Sequence, residues 1–471
     1  MLDCVLINPL AIIGKGHAHF IRDCYGGENV ASLILPPIEL AQVAALLIKN
    51  KKSVAIIDAS ALHLSHQRVV TLLKGYSPEY IGFPTTYGSF VSDMFLAQLI
   101  KETLPGTKII VYGVNVTTGP KKVLDSGFVD FAILGEPETA FLKILEGDFN
   151  MNVAYRDKNG GYIAREIIIQ DDLDGFPFPA RNLLSNNSYN SPFTKTNPFT
   201  TMYTARGCSY QCIFCPVCVW NGHRVRYRSI ENVIAEIRQT VEEYNIRDII
   251  FRDPVFTVNP ERAAAVCEAI LTEDYKINWR CFSHAANVNK NLLKLMKRAG
   301  CYQISYGFET GSQEILDKAQ KCLTLIQASR ATQLTREEGI EVSGSFMFGL
   351  PGETKETIEE TISFVKLLNL DYAQFQLTFS IPGTKLYEYI VNKSNLSIPI
   401  DKKEWSWNDW DNILQPKPEN FELIGFAIRR AYRVFYLNPK YIILQLFKTR
   451  NLGQLGYKIK MMLTFFVRRL I

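Results

Sequence analysis

The chain lacks any run of about 20 consecutive apolar residues, and this excludes a helix that crosses a lipid bilayer. Its start, Met1 to Cys4, shows no basic segment leading into an apolar stretch, so we expect an unprocessed cytoplasmic protein. The ten cysteines are too few for a disulfide scaffold in 471 residues. Internal repeats and low-complexity tracts are also missing, and a chain of this length should fold into about two to four domains.

Acidic residues are missing after Glu422, although ten lysines and arginines follow it. This segregation of charge indicates an acidic partner, either a phospholipid surface or a polyanion. The same region carries two apolar stripes at helical spacing, formed by Ile424, Ile428, Ala431 and Phe435 and by Leu455, Ile459, Met462, Leu463, Phe466 and Leu470. Each stripe predicts either packing on the rest of the protein or peripheral contact with a membrane. Nucleic acid is the less favoured partner, because no known binding motif is present.

Apolar runs and helical patterns alternate over residues 1–150, which is typical of a doubly wound α/β domain with an open parallel sheet. Strands are predicted at 4–8, 53–58, 80–83, 108–112 and 131–134, and helices at 38–49 and 93–104. Ligands bind such sheets beyond the carboxyl ends of the strands. Small or polar residues follow those ends, namely Asn8, Asp58, Thr85, Thr86, Gly113, Gly135 and Glu136. They predict a ligand-binding edge; the alternative is that glycine and proline there only terminate the strands.

A linker is predicted at 151–197, where the periodicity weakens. Residues 198–390 then repeat strand and helix six times, with strands predicted at 200–204, 248–251, 278–282, 303–306, 341–347 and 373–378. This repetition predicts a partial TIM-type α/β barrel of six units, with its chemistry at the C-terminal ends of the strands. Residues 391–471 are predicted to form a small, mostly helical and basic region.

Three cysteines, Cys208, Cys212 and Cys215, follow the first barrel strand. Three thiolates can hold three irons of a cubane and leave the fourth iron open, and thiolates select iron-sulfur clusters or zinc over hard cations. Cys218 leaves a closed four-cysteine structural site as the alternative. Zinc sites usually pair two distant hooks, whereas these four cysteines span eleven residues, so the open site is favoured. The other cysteines, Cys4, Cys24, Cys267, Cys281, Cys301 and Cys322, are predicted to be small buried hydrophobes.

The segment 206–215 resembles the cluster-binding motif of the radical S-adenosylmethionine (radical SAM) superfamily. Segment 306–309 is similar to the part of that family that contacts the methionine amino group, and segment 344–349 resembles its glycine-bearing strand near the adenosine. Glycine suits both places because the ligand must approach the backbone closely. The resemblance assigns five residues to S-adenosylmethionine: Phe214, beside the adenine, and Gly307, Glu309, Gly344 and Gly349.

Over about residues 1–390 the chain is similar to the branch of this superfamily that carries a cobalamin-binding domain before the barrel, through segments 35–40, 58–59, 135–138 and 174–184. The resemblance implies cobalamin at the edge of the first sheet, with contacts from Asn8, Thr85, Thr86, Gly113, Gly135 and Glu136. Two departures exist: the Asp-x-His-x-x-Gly pattern that supplies cobalt with a histidine is absent, and Tyr112 stands where a glycine is usual. The polar stretches around His17, His19, His63 and His66 predict loop or surface residues rather than cobalt ligands.

The resemblance also implies a reaction. A 4Fe-4S cluster reduced by an external electron donor would cleave S-adenosylmethionine to a 5'-deoxyadenosyl radical, and cobalamin would pass a methyl group to an unactivated carbon of a small-molecule or lipid-like substrate. No catalytic acid or base is predicted. A radical cyclase or rearrangement enzyme of the same family is the first alternative.

Two further alternatives are less favoured. A methylthiotransferase of the superfamily carries three cysteines in its first domain, where this chain has only Cys4 and Cys24. A non-catalytic cobalamin-binding protein would leave the segments 307–309 and 344–349 unexplained.

Overall fold

Two sheets of mainly parallel strands form the framework of the protein. The computed structural model describes residues 2–13, 16–18, 20–21, 27–28, 33–191, 193–394 and 421–447. The strands are β1 Cys4–Asn8, β2 Ala11–Ile13, β3 Gly16–Ala18, β4 Phe20–Ile21, β5 Gly27–Glu28, β6 Val54–Asp58, β7 Tyr80–Pro84, β8 Lys108–Tyr112, β9 Phe131–Ile133, β10 Val153–Arg156, β11 Tyr162–Ala164, β12 Phe199–Met202, β13 Ala205–Arg206, β14 Arg226–Tyr227, β15 Asp248–Phe251, β16 Asn278–Ser283, β17 Cys301–Glu309, β18 Glu341–Phe348 and β19 Tyr372–Leu377.

Helices connect and cover these strands. They are α1 Ile38–Lys49, α2 His66–Tyr76, α3 Phe90–Thr103, α4 Val114–Thr118, α5 Pro120–Asp125, α6 Pro137–Leu145, α7 Val217–Asn221, α8 Ile230–Tyr244, α9 Pro260–Glu273, α10 Lys290–Arg298, α11 Gln313–Lys318, α12 Leu325–Glu337, α13 Lys355–Leu368, α14 Lys385–Ser394, α15 Phe421–Tyr436 and α16 Pro439–Phe447. Short 3-10 helices occupy Arg181–Leu183, Asn186–Ser188 and Ala285–Asn287.

The first sheet has the strand order β11-β10-β9-β8-β7-β1-β6. Strands β1, β6, β7, β8 and β9 are parallel, and the β10–β11 hairpin is antiparallel at the edge. Successive residues of β1 point into two cores: Val5 and Ile7 pack with α2 and α3, and Cys4 and Leu6 pack with α1 and α6. This arrangement confirms the predicted doubly wound domain. The direction of the connections reverses at β1, which places a ligand crevice at the carboxyl ends of β1 and β7.

The second sheet runs β12-β15-β16-β17-β18-β19, every strand parallel and in chain order. Its outer face packs against helices α8, α9, α10, α12 and α13 in one apolar core. The side chain of Ser229 accepts the N–H of Asn232 at the start of α8, and Thr354 forms a capping box at the start of α13. The six strands form a partial barrel, as predicted.

Several elements in the first half of the chain were not predicted. The β10–β11 hairpin continues the first sheet beyond residue 150, into the predicted linker. Its two strands, of four and three residues, are too short for an alternating pattern to be detected. The carboxylate of Asp157 stabilises the turn by accepting the N–H groups of Asn159 and Gly161. Helices α2, α4, α5 and α6 were not predicted either: α4 and α5 are only five and six residues long, and α2 mixes polar with apolar residues.

The C-terminal helices α15 and α16 pack on the barrel. The stripe of Ile424, Ile428, Ala431 and Phe435 lies in the apolar core of the second sheet, which confirms the packing alternative for this stripe. The second predicted stripe, 455–470, lies outside the described residues. Within the described ranges, no helix combines the length and apolarity that spanning a membrane requires.

Helix α15 covers the free edge of β19, the last strand of the barrel. The hydroxyl of Tyr432 donates to the carbonyl of Phe375 at 3.0 Å and accepts its N–H at 3.2 Å. Tyr436 makes the same pair of bonds with Ala373, at 2.8 and 3.2 Å. Two tyrosine hydroxyls therefore satisfy backbone groups that a neighbouring strand would otherwise bond.

We expect the double variant Tyr432→Phe and Tyr436→Phe to lose about 2–4 kcal/mol of unfolding free energy, because each lost hydroxyl leaves buried backbone groups unsatisfied. Urea denaturation of the full-length protein measures this loss. Tyr389→Phe, at a half-exposed tyrosine of α14, is the control. A double variant with the wild-type midpoint would contradict this account of the edge.

Candidate active site

A two-stranded ribbon closes the loop that carries the cysteines. β13 and β14 pair antiparallel and enclose residues 207–225, which we call the cluster loop. In its middle, Ile213 donates its N–H to the carbonyl of Ala319 at 3.1 Å, and its own carbonyl accepts the N–H of Leu386 at 2.9 Å. The loop is thereby fixed between the end of α11 and the start of α14.

An aromatic stack holds the same loop on the second sheet. The ring of Tyr210 lies on the imidazole of His284, with centroids 4.2 Å apart and planes at 10°, and its hydroxyl donates to Asn287 Oδ1 at 2.8 Å. Burial and the nearby ammonium of Lys321 lower the pKa of His284 to about 4. The imidazole is therefore neutral, with Nδ1 accepting the N–H of Ala286 and Nε2 bonded to the Lys321 carbonyl at 2.9 Å.

The three predicted ligands, Cys208, Cys212 and Cys215, lie half-buried and close enough to interact electrostatically. Burial raises the pKa of Cys212 to about 11 and also raises the pKa values of Cys208 and Cys215. Cys208 and Cys215 contact an apolar core of the first domain. Three soft donors in a poorly solvated place, where only a cationic centre would favour the thiolates, fit an iron-sulfur cluster.

Cys218 follows these three in the chain and interacts electrostatically with Cys208. It lies on α7, and its Sγ is 3.3 Å from the carbonyl of Cys215. In the part of the chain that the structure describes, no three His, Cys, Asp or Glu side chains come together around a single ion position.

A buried ion pair lies beside the thiols. Lys321 Nζ is 2.7 Å from Glu309 Oε1, and a Cβ at Gly307 would come within 2.4 Å of that oxygen, so only glycine leaves room for the pair. Burial opposes the charge on Lys321, but Glu309 and the thiols of Cys212 and Cys215 outweigh it and raise the pKa of the ammonium. Opposite charges side by side match the two charges of an amino acid zwitterion.

Lys321 was not among the predicted site residues. It stands twelve residues after Glu309 in a polar turn, and no periodic pattern marks it. The sequence offered no signal for it. In the structure its neighbours Gln320 and Cys322 both adopt positive φ, at 53° each, so Lys321 lies in a tight turn.

The remaining residues assigned to S-adenosylmethionine separate into two groups. Phe214 packs beside Ile315, Ala319, Met347 and Leu350, an apolar patch that suits a flat ring. Gly344 points away from this patch, because a Cβ there would meet Leu370 at 2.6 Å and Phe308 at 3.0 Å in the core behind the sheet. Its missing side chain therefore serves packing, not the predicted close approach of a ligand.

Gly349 follows β18, beside a second buried carboxyl group. Its N–H donates to Glu353 Oε2 at 2.5 Å, and burial raises the pKa of Glu353 to about 7. Gly349 adopts φ 97°, and a Cβ there would lie 3.2 Å from Ile424 of α15. The C-terminal region thus reaches the strand ends of the barrel.

The predicted ligand edge of the first sheet is built from close backbone contacts. A Cβ at Gly113, which has φ 143°, would lie 2.1 Å from the carbonyl of Thr85, so the two loops touch through backbone alone. Thr86 is bonded to Ser89. Asn8 is turned to its neighbour strand and donates to Asp58 Oδ1 at 2.8 Å.

Glu136 corrects the prediction of a cofactor contact. Arg226 bonds both of its carboxylate oxygens, Asn221 Nδ2 donates to Oε1 at 2.7 Å, and Arg206 Nη1 lies 3.3 Å from Oε2. The carboxylate is therefore occupied by the barrel domain. Gly135, just before it, lies close to the carbonyl of Trp220.

Two other predictions are corrected. His66, predicted at the surface, is fully buried at the start of α2, with Nε2 3.0 Å from the Leu10 carbonyl. Cys322, predicted to be a buried hydrophobe, is exposed. The structure confirms His63 as exposed and Cys4, Cys267, Cys281 and Cys301 as buried. The His17 side chain, His19 and Cys24 lie outside the described residues.

Helix α7 brings the cluster loop onto the first domain. Val217 and Trp220 are buried in the core formed by α1, α6 and the first sheet, and the Trp220 ring lies 6.4 Å from that of Tyr112. Because Tyr112 ends β8, the cluster loop faces the ligand edge of the first sheet. The thiols and that edge therefore belong to one site.

Comparison with known proteins agrees with this arrangement. Residues 202–365 match the Radical SAM superfamily. An uncharacterised methyltransferase of Pyrococcus horikoshii is 30% identical over 430 residues, which are 89% of this chain and 92% of the relative. The anaerobic magnesium-protoporphyrin IX monomethyl ester cyclase of Rubrivivax gelatinosus is 25% identical over 442 residues, 90% of this chain and 78% of that one.

A solved structure shares the fold of this chain. The radical S-adenosylmethionine methyltransferase TsrM of Kitasatospora setae, determined with cobalamin and a 4Fe-4S cluster, superposes with a TM-score of 0.63 at 16% identity, covering 83% of this chain and 75% of that chain. This likeness confirms the predicted fold, a Rossmann-like domain followed by a partial barrel.

The raised pKa of Glu353 predicts a stability that falls with rising pH. Because the folded carboxyl titrates near 7 instead of 4.5, the native state holds a proton that the unfolded state has released, and stability is lost between these values. Glu353→Gln should be more stable than wild type by up to about 3 kcal/mol at pH 8 and equal to it near pH 4. Urea denaturation at both pH values measures this. Glu356→Gln, at an exposed carboxylate three residues on, should show no such gain; a Glu353→Gln variant without it would contradict the assignment.

Proposed function

We propose that this enzyme, which belongs to the radical SAM superfamily, methylates an unactivated carbon with the help of cobalamin bound to its first domain. One observation carries the proposal. The three thiols of the cluster loop lie beside the buried pair of Lys321 and Glu309, and the same loop is seated on the first domain through Val217 and Trp220. That geometry suits two cofactors held side by side.

The residues of the barrel have distinct tasks. The thiolates of Cys208, Cys212 and Cys215 would hold three irons of a 4Fe-4S cluster. Glu309 would accept hydrogen bonds from the methionine ammonium of S-adenosylmethionine, and Lys321 would donate to its carboxylate. When bound, the cluster and S-adenosylmethionine supply one-electron activation of a carbon–hydrogen bond, and cobalamin supplies a transferable methyl group.

Apolar and small residues complete the site. The Phe214 ring would cover the adenine and keep water from it. At the first sheet, Asn8, Thr85, Thr86, Gly113 and Gly135 are the proposed contacts of the corrinoid, where short side chains let the ring lie against backbone. The ring nitrogen of the buried His66 bonds a backbone carbonyl, so we propose that cobalt is held without this histidine.

Cyclisation is the second candidate function. A cyclase that acts on magnesium-protoporphyrin IX monomethyl ester is 25% identical over 90% of this chain. The product decides between the two reactions, because methylation adds one carbon and cyclisation adds none.

The test is anaerobic reconstitution of the full chain with iron, sulfide and hydroxocobalamin, followed by turnover with methyl-deuterated S-adenosylmethionine and a reductant. We expect about four irons and one cobalt per chain, 5'-deoxyadenosine, and deuterated methyl in a product formed from a lysate extract. Cys212→Ser should abolish 5'-deoxyadenosine formation, whereas Cys218→Ser should retain it. Cleavage without bound cobalt would remove cobalamin from the proposal, and an unlabelled product would favour cyclisation.

We also propose a lipid-like substrate and peripheral contact with an anionic membrane. The predicted apolar stripe of α15 faces the barrel, but the opposite face of α15 and α16 is exposed and alternates apolar with basic side chains: Phe426, Arg429, Arg433, Leu437, Lys440 and Ile443. Phe426 and Ile443 are 53% and 54% exposed. Such a face suits the boundary between headgroups and acyl chains.

Vesicle flotation checks this contact. The full-length protein should float with phosphatidylglycerol vesicles, and less with neutral vesicles or at about 0.5 M salt. Phe426→Ser with Ile443→Ser should weaken binding at least about tenfold, because two apolar anchors are lost. Ile326→Ser, at an 82% exposed isoleucine of α12, is the control. A protein that ignores anionic vesicles would end this proposal.

A further inference from the structure

Segments that are distant in sequence meet at the guanidinium of Arg206, which directly precedes the cluster loop. Arg206 Nη2 lies 2.5 Å from Glu138 Oε1, and Nη1 lies 3.3 Å from Glu136 Oε2. The ring centroids of Phe176 and Tyr203 lie 5.9 and 5.8 Å from its Cζ. The first domain, the segment between the domains and the barrel thus all contribute to enclosing one arginine.

A second arginine completes this arrangement. Arg226 lies opposite Arg206 in the ribbon and bonds both oxygens of Glu136, one of them at 3.0 Å. We call Arg206, Arg226, Glu136 and Glu138 the arginine box. Both ends of the cluster loop are therefore tied to the two glutamates that follow β9.

Burial shows what the arginine box contributes. The side chains of Arg226, Glu136 and Glu138 are only 2%, 7% and 1% exposed. Burial opposes the charge of Glu136, but Arg206 and Arg226 outweigh it and lower the pKa of the carboxyl group, so Glu136 stays ionised. Desolvation cancels most of the attraction in such pairs, so their net gain in stability over packed apolar residues is small.

Adhesion between the domains is already provided by apolar contact, since Val217 and Trp220 are buried in the core of the first domain. Apolar contact alone does not fix the orientation of one domain relative to the other. A guanidinium that bonds two carboxylates restricts both distance and angle, because its donors are held in a rigid fork.

We infer that Arg206 is a positioning residue: through the arginine box it sets the placement of the cluster loop relative to the ligand edge of the first sheet. The inference rests on the proposed function, because it gives the arginine box the task of holding two cofactors at a working separation. Substrate would then be activated and methylated without moving between sites.

Arg206→Lys tests this, because lysine keeps the charge but loses the fork. The matched control is Arg336→Lys, which disturbs a partly buried pair, Nη1 to Asp371 Oδ2 at 2.8 Å, at the other end of the barrel strands. Amide hydrogen exchange in 207–221 and 114–118 should accelerate about tenfold in Arg206→Lys and stay at the wild-type rate in the control. Iron content should remain that of wild type in both variants.

A spectroscopic readout separates positioning from general loosening. In protein loaded with reduced cluster and cob(II)alamin, the magnetic coupling between the two centres reports their separation. Arg206→Lys should weaken or broaden this coupling and raise the ratio of S-adenosylmethionine cleaved to methyl transferred. The control should change neither quantity.

Wild-type exchange and wild-type coupling in Arg206→Lys would overturn the inference. If that variant does not fold, Glu138→Gln removes one carboxylate, leaves Arg206 near Glu136, and is judged by the same criteria. Failure of wild-type protein to bind cobalt would refute the proposed function instead, and the exchange rates would still decide whether Arg206 positions the loop.

Discussion

The seating of helix α7 in the first domain is the contact on which the rest of the site depends. By sequence the cluster loop belongs to the barrel, yet Val217 and Trp220 are buried among the side chains of the first sheet. Neither domain has a complete site alone, because the barrel lacks the wall that Tyr112 and its neighbours form. Undocking of the domains would therefore expose the thiols as well as the crevice.

Two groups of buried charges lie near the cluster loop, and in both groups each charge has a partner of opposite sign. Lys321 with Glu309, and the two arginines with Glu136 and Glu138, are buried but compensated. The two groups differ in their partners. The charges of Lys321 and Glu309 suit a zwitterionic ligand, whereas the arginine box forms its hydrogen bonds within the protein. A buried ion pair therefore indicates a ligand site only if its groups retain hydrogen-bonding capacity that the protein does not use.

Local patterns predicted what depends on neighbours in sequence. The bounds of β1, β8, β15 and α1 agree with the prediction, because buried strands and amphipathic helices can be recognised from the pattern of apolar residues along the sequence. Partners across the fold were not predictable. Glu136 looked like a ligand contact because small and charged residues after a strand suit that role, and only the barrel's arginines show otherwise. His66 looked solvated because its sequence neighbours are polar, whereas its spatial neighbours are not.

The tyrosine cover of β19 has a consequence for biosynthesis. The barrel strands are complete once Leu377 has been made, but Tyr436, which covers the last edge, follows roughly 60 residues later; at about 5–20 residues per second the ribosome needs several seconds to supply it. During that interval a nascent chain presents an open strand edge to its neighbours on the same messenger. Chaperone dependence of expression should therefore be set by the time needed to translate the C-terminal region, more than by the stability of the finished fold.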